Sequence, residues 1–219
     1  MVAIDWEANR DEFLRIFDNE ISERTGKTEL REWLLSSDND FFIAPASTRF
    51  HGAYKGGLCE HSLDVYRMAV KLANAMEEEI KHEYECLPNR KYDREQFIES
   101  LTVAALFHDI CKVNFYGETS RNVKNKTTGQ WESKPVYIVD ERFPFGGHGS
   151  KSVYILQYYL HDLKKEEAIA INCHMGFSDG SESISTIANS FHFSPLAWII
   201  HVADEAAVYL LADRNRIDD

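Results

Sequence analysis

Residues 97–112 read Phe97-Ile98-Glu99-Ser100-Leu101-Thr102-Val103-Ala104-Ala105-Leu106-Phe107-His108-Asp109-Ile110-Cys111-Lys112. Phe97, Leu101, Ala104 and His108 recur at intervals of 4, 3 and 4, which puts them on one helical face. The spacing predicts a helix over about 94–111 whose apolar stripe ends on an imidazole, with the Asp109 carboxylate beside it. Alone, a histidine on such a stripe is most often a hydrogen-bonded core residue. The weight of this one comes from similar placements elsewhere in the chain.

From Leu58 onward, Leu58, Val65, Met68, Leu72 and Met76 form a second helical stripe, and His61 falls on it. This pattern lapses near the charged segment 77–85. In a helix expected over about 194–212, Ala197, His201, Asp204, Val208 and Leu211 share a face. Two more helices are expected over about 150–160 and 164–174. His148 stands just before the first, in Gly146-Gly147-His148-Gly149, and His174 ends the second. Upstream, helices over about 6–21 and 29–35 lead into a turn-rich stretch through Phe41-Phe42-Ile43-Ala44-Pro45. Residues 115–145 break the helical pattern, and 121–126 and 130–139 alternate around Thr127-Thr128-Gly129 as a β-hairpin would. The expected fold class is all-α, a helical bundle with one small β-hairpin insertion. A single domain over 1–219 is expected, with a core of about 41–212 and N-terminal helices over 1–40.

The 219 residues suffice for a full hydrophobic core, and 44% apolar with 12% aromatic residues are globular values. No apolar run approaches the ~20 residues of a membrane-spanning helix, and the N-terminus lacks a secretory pattern. A cytoplasmic location is expected. Cys59, Cys86, Cys111 and Cys173 form no CxxC pair, against a zinc ribbon or a disulfide framework. A net charge of −12 disfavours tight binding to long nucleic acid. Between Phe115 and Lys151, however, six basic residues face four acidic ones. That stretch reads either as a solvated loop or as a cover drawing a small anion inward.

His61 and Asp204 lie on core-facing stripes. A buried carboxylate without a partner is expensive, so Asp204 needs a cation, a hydrogen-bond network or a metal. Several separate helix ends each supply one His or Asp, and imidazole with carboxylate suits divalent Mn, Fe, Co, Ni or Zn.

Order and spacing sharpen this reading. Gly57-Leu58-Cys59-Glu60-His61-Ser62-Leu63, the His108-Asp109-Ile110-Cys111-Lys112 segment, Gly147-His148-Gly149, Cys173-His174-Met175-Gly176 and His201-Val202-Ala203-Asp204 together resemble the HD-domain phosphohydrolase superfamily. The resemblance runs from about residue 41 to 212. It implies one metal held by His61, His108, Asp109 and Asp204, and a second held by His148 and His174 with Asp109 bridging. It further implies two divalent ions (Mg joins the candidates above) and a phosphoester substrate, a nucleotide or related small phosphorylated molecule. Two close cations lower the pKa of a shared water, so that a metal-bound hydroxide attacks phosphorus, and they neutralise the phosphate oxygens. Asp109 and Lys112 are the expected catalytic residues, Lys112 contacting the phosphate as a point charge.

Weaker candidates for contacting substrate are Lys55, with Arg49 and Tyr54, before the His61 helix, and Arg121 with Lys124 in the hairpin. His201 is expected to pack or to support a ligand, and His51, His82, His161 and His192 to be surface or structural. Phe145–Ser152 has a superficial likeness to a Walker loop but lacks a glycine directly before Lys151. Residues 41–63 also resemble the HD domain of bacterial 3′–5′ exoribonucleases, which carry an OB-type domain that this chain is too short to hold. The GYP element of the cyclic di-GMP-cleaving subfamily is absent. Two alternative functions remain: a nuclease or phosphodiesterase acting on short single strands, which needs a basic groove, and a non-catalytic metal-binding module.

Overall fold

The computed structural model describes residues 5–86, 90–124, 128–178, 180 and 182–211. Its described residues form a helical bundle with one two-stranded antiparallel hairpin. In order, the elements are α1 (Trp6–Glu20), α2 (Lys27–Leu34), α3 (Gly57–Ala75), α4 (Glu77–Cys86) and α5 (Arg94–Phe107). The hairpin follows, β1 (Tyr116–Lys124) and β2 (Trp131–Val139), then α6 (His148–Tyr159), α7 (Lys165–Asn172), α8 (Ile184–Phe193) and α9 (Pro195–Ala206).

Helix α5 is the axle. Asp93 caps its start by accepting from the Gln96 N–H at 3.0 Å. Every residue from Ser100 to Phe107 is buried, as expected for a helix surrounded by others. Helices α1, α3, α7 and α9 pack around it. At its C-terminal end Phe107 meets Phe13, which in turn meets Phe41 and Phe42, all edge to face with centroids 5.0–5.7 Å apart. A buried axle delivers whatever follows it, here His108 and Asp109, into the middle of the molecule.

Several sequence expectations shift. The segment 77–86 is not a helix end but a helix of its own. Glu77, Glu78 and Glu79 crowd its first turn, where the helix dipole favours negative charge, and Ile80 anchors it to the core. The helix expected over 94–111 stops at Phe107, and a 3₁₀ turn over Ile110–Lys112 continues it. Helix α6 begins at His148, earlier than expected. Helix α8 has no counterpart in the sequence pattern; its Ser- and Thr-rich sequence hides a single buried anchor, Ile187, behind a Ser183 cap. Helix α9 ends at Ala206 and passes into a π turn over Ala207–Leu211, while Ala212 lies outside the described residues. Strand β1 starts five residues earlier than the alternation suggested, paired from Tyr116↔Val139 to Lys124↔Trp131. The expected strand residues Asn125 and Lys126, with Thr127 of the turn, also lie outside the described residues.

Helix α7, which leads to His174, is tied to the N-terminal helices through one buried carboxylate. Arg24 grips Glu167 with both arms, Nη1 to Oε1 at 2.8 Å and Nη2 to Oε2 at 2.9 Å. Both side chains are almost wholly buried, and the Lys164 N–H also donates to Glu167 Oε2 at 2.8 Å. Removing one partner of such a pair strands a buried charge. Arg24→Leu is therefore expected to lower unfolding stability by about 3–5 kcal/mol, measured by urea denaturation; a loss under about 1 kcal/mol would show that water reaches Glu167.

Candidate metal centre

His108 follows the last residue of α5 and keeps a helical backbone. Its Nδ1 lies 2.9 Å from the Ala105 carbonyl, and the His174 Nδ1 lies 2.7 Å from the Ile171 carbonyl. A carbonyl only accepts, so each Nδ1 carries the hydrogen and each Nε2 presents a lone pair. Both rings are fully buried. The chain has fixed two imidazoles as ligands are fixed, tautomer and orientation together.

Around those nitrogens the other expected groups converge. His61 Nε2, from the first turns of α3, stands 3.1 Å from His108 Nε2 and 3.1 Å from Asp204 Oδ1 of α9. Asp109 Oδ2 lies 3.5 Å from His108 Nε2 and 3.6 Å from His61 Nε2. Its other oxygen, Oδ1, points to His174 Nε2 at 3.6 Å, and among the described residues neither of these two buried atoms has a hydrogen-bond partner. Donors about 2.1 Å from a shared cation stand roughly 3.0–3.4 Å from one another, close to the spacing found.

A hydrogen count makes the same point. His61 Nε2 carries at most one hydrogen between Asp204 and His108. Lys112 Nζ gives Asp109 Oδ2 a hydrogen bond at 2.6 Å. The lone pairs on His108 Nε2, His174 Nε2 and Asp109 Oδ1 still exceed the hydrogens that face them. Orphaned buried polar atoms are costly, and a divalent cation is the group that satisfies nitrogen and oxygen lone pairs together. The donor set fits a metal.

The electrostatics agree. Burial opposes the charge on Asp109, but Lys112, His108 and His174 outweigh it and hold the carboxyl well below the usual carboxylate range. Burial opposes the charge on Asp204 too, and His61, His108 and His174 outweigh it. Burial disfavours a charged His108, yet Asp109 and Asp204 raise its pKa; the same carboxylates would stabilise a metal cation. Lys112 stays charged because Asp109 overrides its burial.

His148 reaches the Asp109 side from the start of α6. Gly149 makes this approach possible: a Cβ there would sit 2.1 Å from the Asn172 carbonyl oxygen, so only glycine lets the start of α6 touch the end of α7. Three groups of ligand atoms, each mutually within 4.8 Å, result: His61, His108 and Asp204; His108, Asp109 and His174; and Asp109, Cys111 and His148. All six residues expected as ligands thus come to one place.

Some of the weaker candidates have other partners. Lys55 Nζ sits 4.3 Å over the Trp6 ring, and the Tyr54 hydroxyl donates to Glu60. Arg121 is exposed in mid-hairpin, opposite Lys134. His201 Nδ1 donates to the His174 carbonyl at 2.8 Å, a supporting role. In the basic stretch, Lys151 pairs with Glu141 and Arg142 with Asp140.

Sequence reasoning missed two neighbours. The ring of His51 lies 4.9 Å from that of His61; burial, then the charges of His61 and Lys112, bring its pKa down to about 4. Cys111 Sγ lies 3.4 Å from His148 Nδ1, and burial pushes its thiol up to about 12. No helical periodicity marks His51, which sits in a loop. Its signal was the Gly56-Gly57 pair, since a Cβ on Gly57 would lie 2.0 Å from the Gly52 oxygen, so the loop folds back on α3.

The family model of the HD domain matches residues 58–208. This chain belongs to the HD-domain family. An HD-type relative, the dihydroneopterin 2′,3′-cyclic phosphate phosphodiesterase of Methanocaldococcus jannaschii, is 28% identical over 163 residues, 74% of this chain and 51% of the relative. The chain therefore spans about half the length of that relative. No solved structure matches this chain at a significant level. No helix among the described residues is long and apolar enough to cross a membrane.

Binding of a cation to the folded state alone adds about 2.7 kcal/mol of stability at a hundredfold excess over Kd, or roughly 5–10 °C in Tm at this chain length. Chelation is expected to lower Tm by that amount and Mn²⁺ to restore it, by differential scanning calorimetry. An unmoved Tm would argue against a metal in this HD centre.

Proposed function

We propose that this HD protein is a metal-dependent hydrolase of phosphoester bonds in nucleotides or nucleotide-like small molecules. The observation that carries the reading is Asp109. This buried carboxylate faces the His61 and His108 nitrogens with one oxygen and the His174 nitrogen with the other, as a residue shared by two cations would. In this reading His61, His108, Asp109 and Asp204 hold one ion, and Asp109, His148 and His174 a second. The mixed nitrogen and oxygen donors suit Mn, Fe, Co, Ni or Zn, with Mg also admissible.

Such ions, when bound, bring the pKa of water toward neutrality and offset charge on phosphate oxygens. The chain's own residues do the rest. Lys112 is held by Asp109 with its ammonium at the edge of the centre, and its remaining hydrogens are available to phosphate oxygens. Asp109 fixes that ammonium in place. His51, neutral at ordinary pH, overlooks His61 from the opposite loop and can hydrogen-bond an ester oxygen. The HD family match and the cyclic phosphodiester named for the relative support a small, cyclic or linear phosphodiester as substrate.

The metal-loaded protein is expected to hydrolyse at least one member of a panel of nucleoside 2′,3′- and 3′,5′-cyclic phosphates, mononucleotides and dinucleotides, and Asp109→Asn to hydrolyse none. A panel left untouched at every metal tested would favour the binding-module reading. Lys112→Ala is expected to lower kcat by about 10²–10³-fold, the range for one preorganised charge or donor, with metal content unchanged by elemental analysis. A kcat within threefold of the parent would remove Lys112 from the mechanism.

A further inference from the structure

A cavity of about 280 Å³ lies beside the metal centre, with Asn114, Phe115, Glu141, Phe143, Lys151 and Tyr154 in its walls. It adjoins the centre at two points. Asn114 comes two residues after Lys112, pinned at a φ of 52° by its N–H to Asp40 and its side-chain amide to the Asp38 carbonyl. Phe115 has its ring centroid 6.2 Å from that of His148.

Helix geometry connects the two as well. His148, Lys151, Ile155 and Tyr158 occupy one face of α6 at intervals of 3, 4 and 3, and the last three line the cavity. The cavity thus begins about 4.5 Å along the axis from His148 and runs away from the metal ligands.

Its chemistry is that of a stacking platform. Phe143 and Tyr154 line the cavity with ring centroids 5.6 Å apart, and Phe145, which is not in its walls, backs both, nearly parallel to Phe143 at 5.5 Å and 4.8 Å from Tyr154. These three rings are 40%, 50% and 41% exposed, a concentration of aromatic surface that a free-standing core does not require. At the inner wall the buried Lys151 ammonium pairs with both oxygens of Glu141 at 2.7 and 2.8 Å. It also lies 5.1 Å from the Phe115 ring and 5.5 Å from that of Phe143. A cation and a carboxylate side by side offer a donor and an acceptor to the edge of a flat ring, while the aromatics take its face.

We propose that this cavity binds the planar nitrogen heterocycle of the substrate. It rests on the hydrolase reading for where the phosphate sits, and selects nucleoside-like esters over simple organic phosphates. The occupant is a small heterocycle rather than a peptide because a volume of about 280 Å³ lies at the small end of ligand sites and Phe115 of its wall stands beside His148 of the centre.

Isothermal titration of the full chain with guanosine and adenosine, which carry no phosphate, reads this subsite apart from hydrolysis. Saturable binding is expected, weakened at least about fivefold in Tyr154→Ala, the low end for one base–aromatic stack. Tyr154→Phe should restore it, and Trp131→Ala, which removes an exposed aromatic of the hairpin, should leave it unaltered; thermal unfolding checks the fold of each variant. The subsite is overturned if neither nucleoside binds, or if Tyr154→Ala binds as well as the parent or Trp131→Ala loses as much. Any of these results overturns it even where nucleoside cyclic phosphates are cleaved. Nucleosides that bind a protein cleaving no phosphoester would uphold the subsite and sink the hydrolase reading instead.

Discussion

Too many lone pairs meet in too dry a place. His108 and His174 each spend their ring hydrogen on a backbone carbonyl, and Asp109 turns an oxygen toward each side of the centre. Among the described groups, Lys112 supplies a hydrogen bond to one of those oxygens. Protons satisfy part of this assembly, and a divalent cation would satisfy the remainder. The surrounding bundle can be understood as the scaffold that keeps these groups together despite their mutual cost.

Two features make that scaffold work. The first is a helix, α5, buried along its second half, so that its end lies deep rather than at the surface. The second is close backbone approach at glycines. Gly57 lets the loop carrying His51 press against the helix carrying His61, and Gly149 lets the start of α6 touch the end of α7. Side chains distant in the chain come within ligand spacing because backbone, not side chain, fills the contacts between these elements.

Charge is arranged on two scales. The chain as a whole is strongly acidic, yet the segment beside the centre carries Lys151 and Arg142, each already matched to a nearby carboxylate. Such pairing leaves orientation and hydrogen-bonding capacity in place of a bare positive field. Affinity for a long polyanion, by contrast, depends on unpaired basic residues along a groove.

The helical bundle and several of the side chains that meet at the centre were legible in the sequence, because apolar periodicity marks buried faces and a His or Asp on such a face demands a partner. The hairpin was legible from the lapse of that periodicity. What escaped depended on contacts the pattern does not encode. Glu77–Cys86 is helical because acidic residues suit a helix start and Ile80 reaches the core. Lys55 turns to Trp6, and His51, in a loop without period, comes to rest against His61. Sequence by itself determined which side chains must be buried and what chemistry they bring. Only the tertiary structure decided which of them face one another, since that depends on how closely separate backbones can approach.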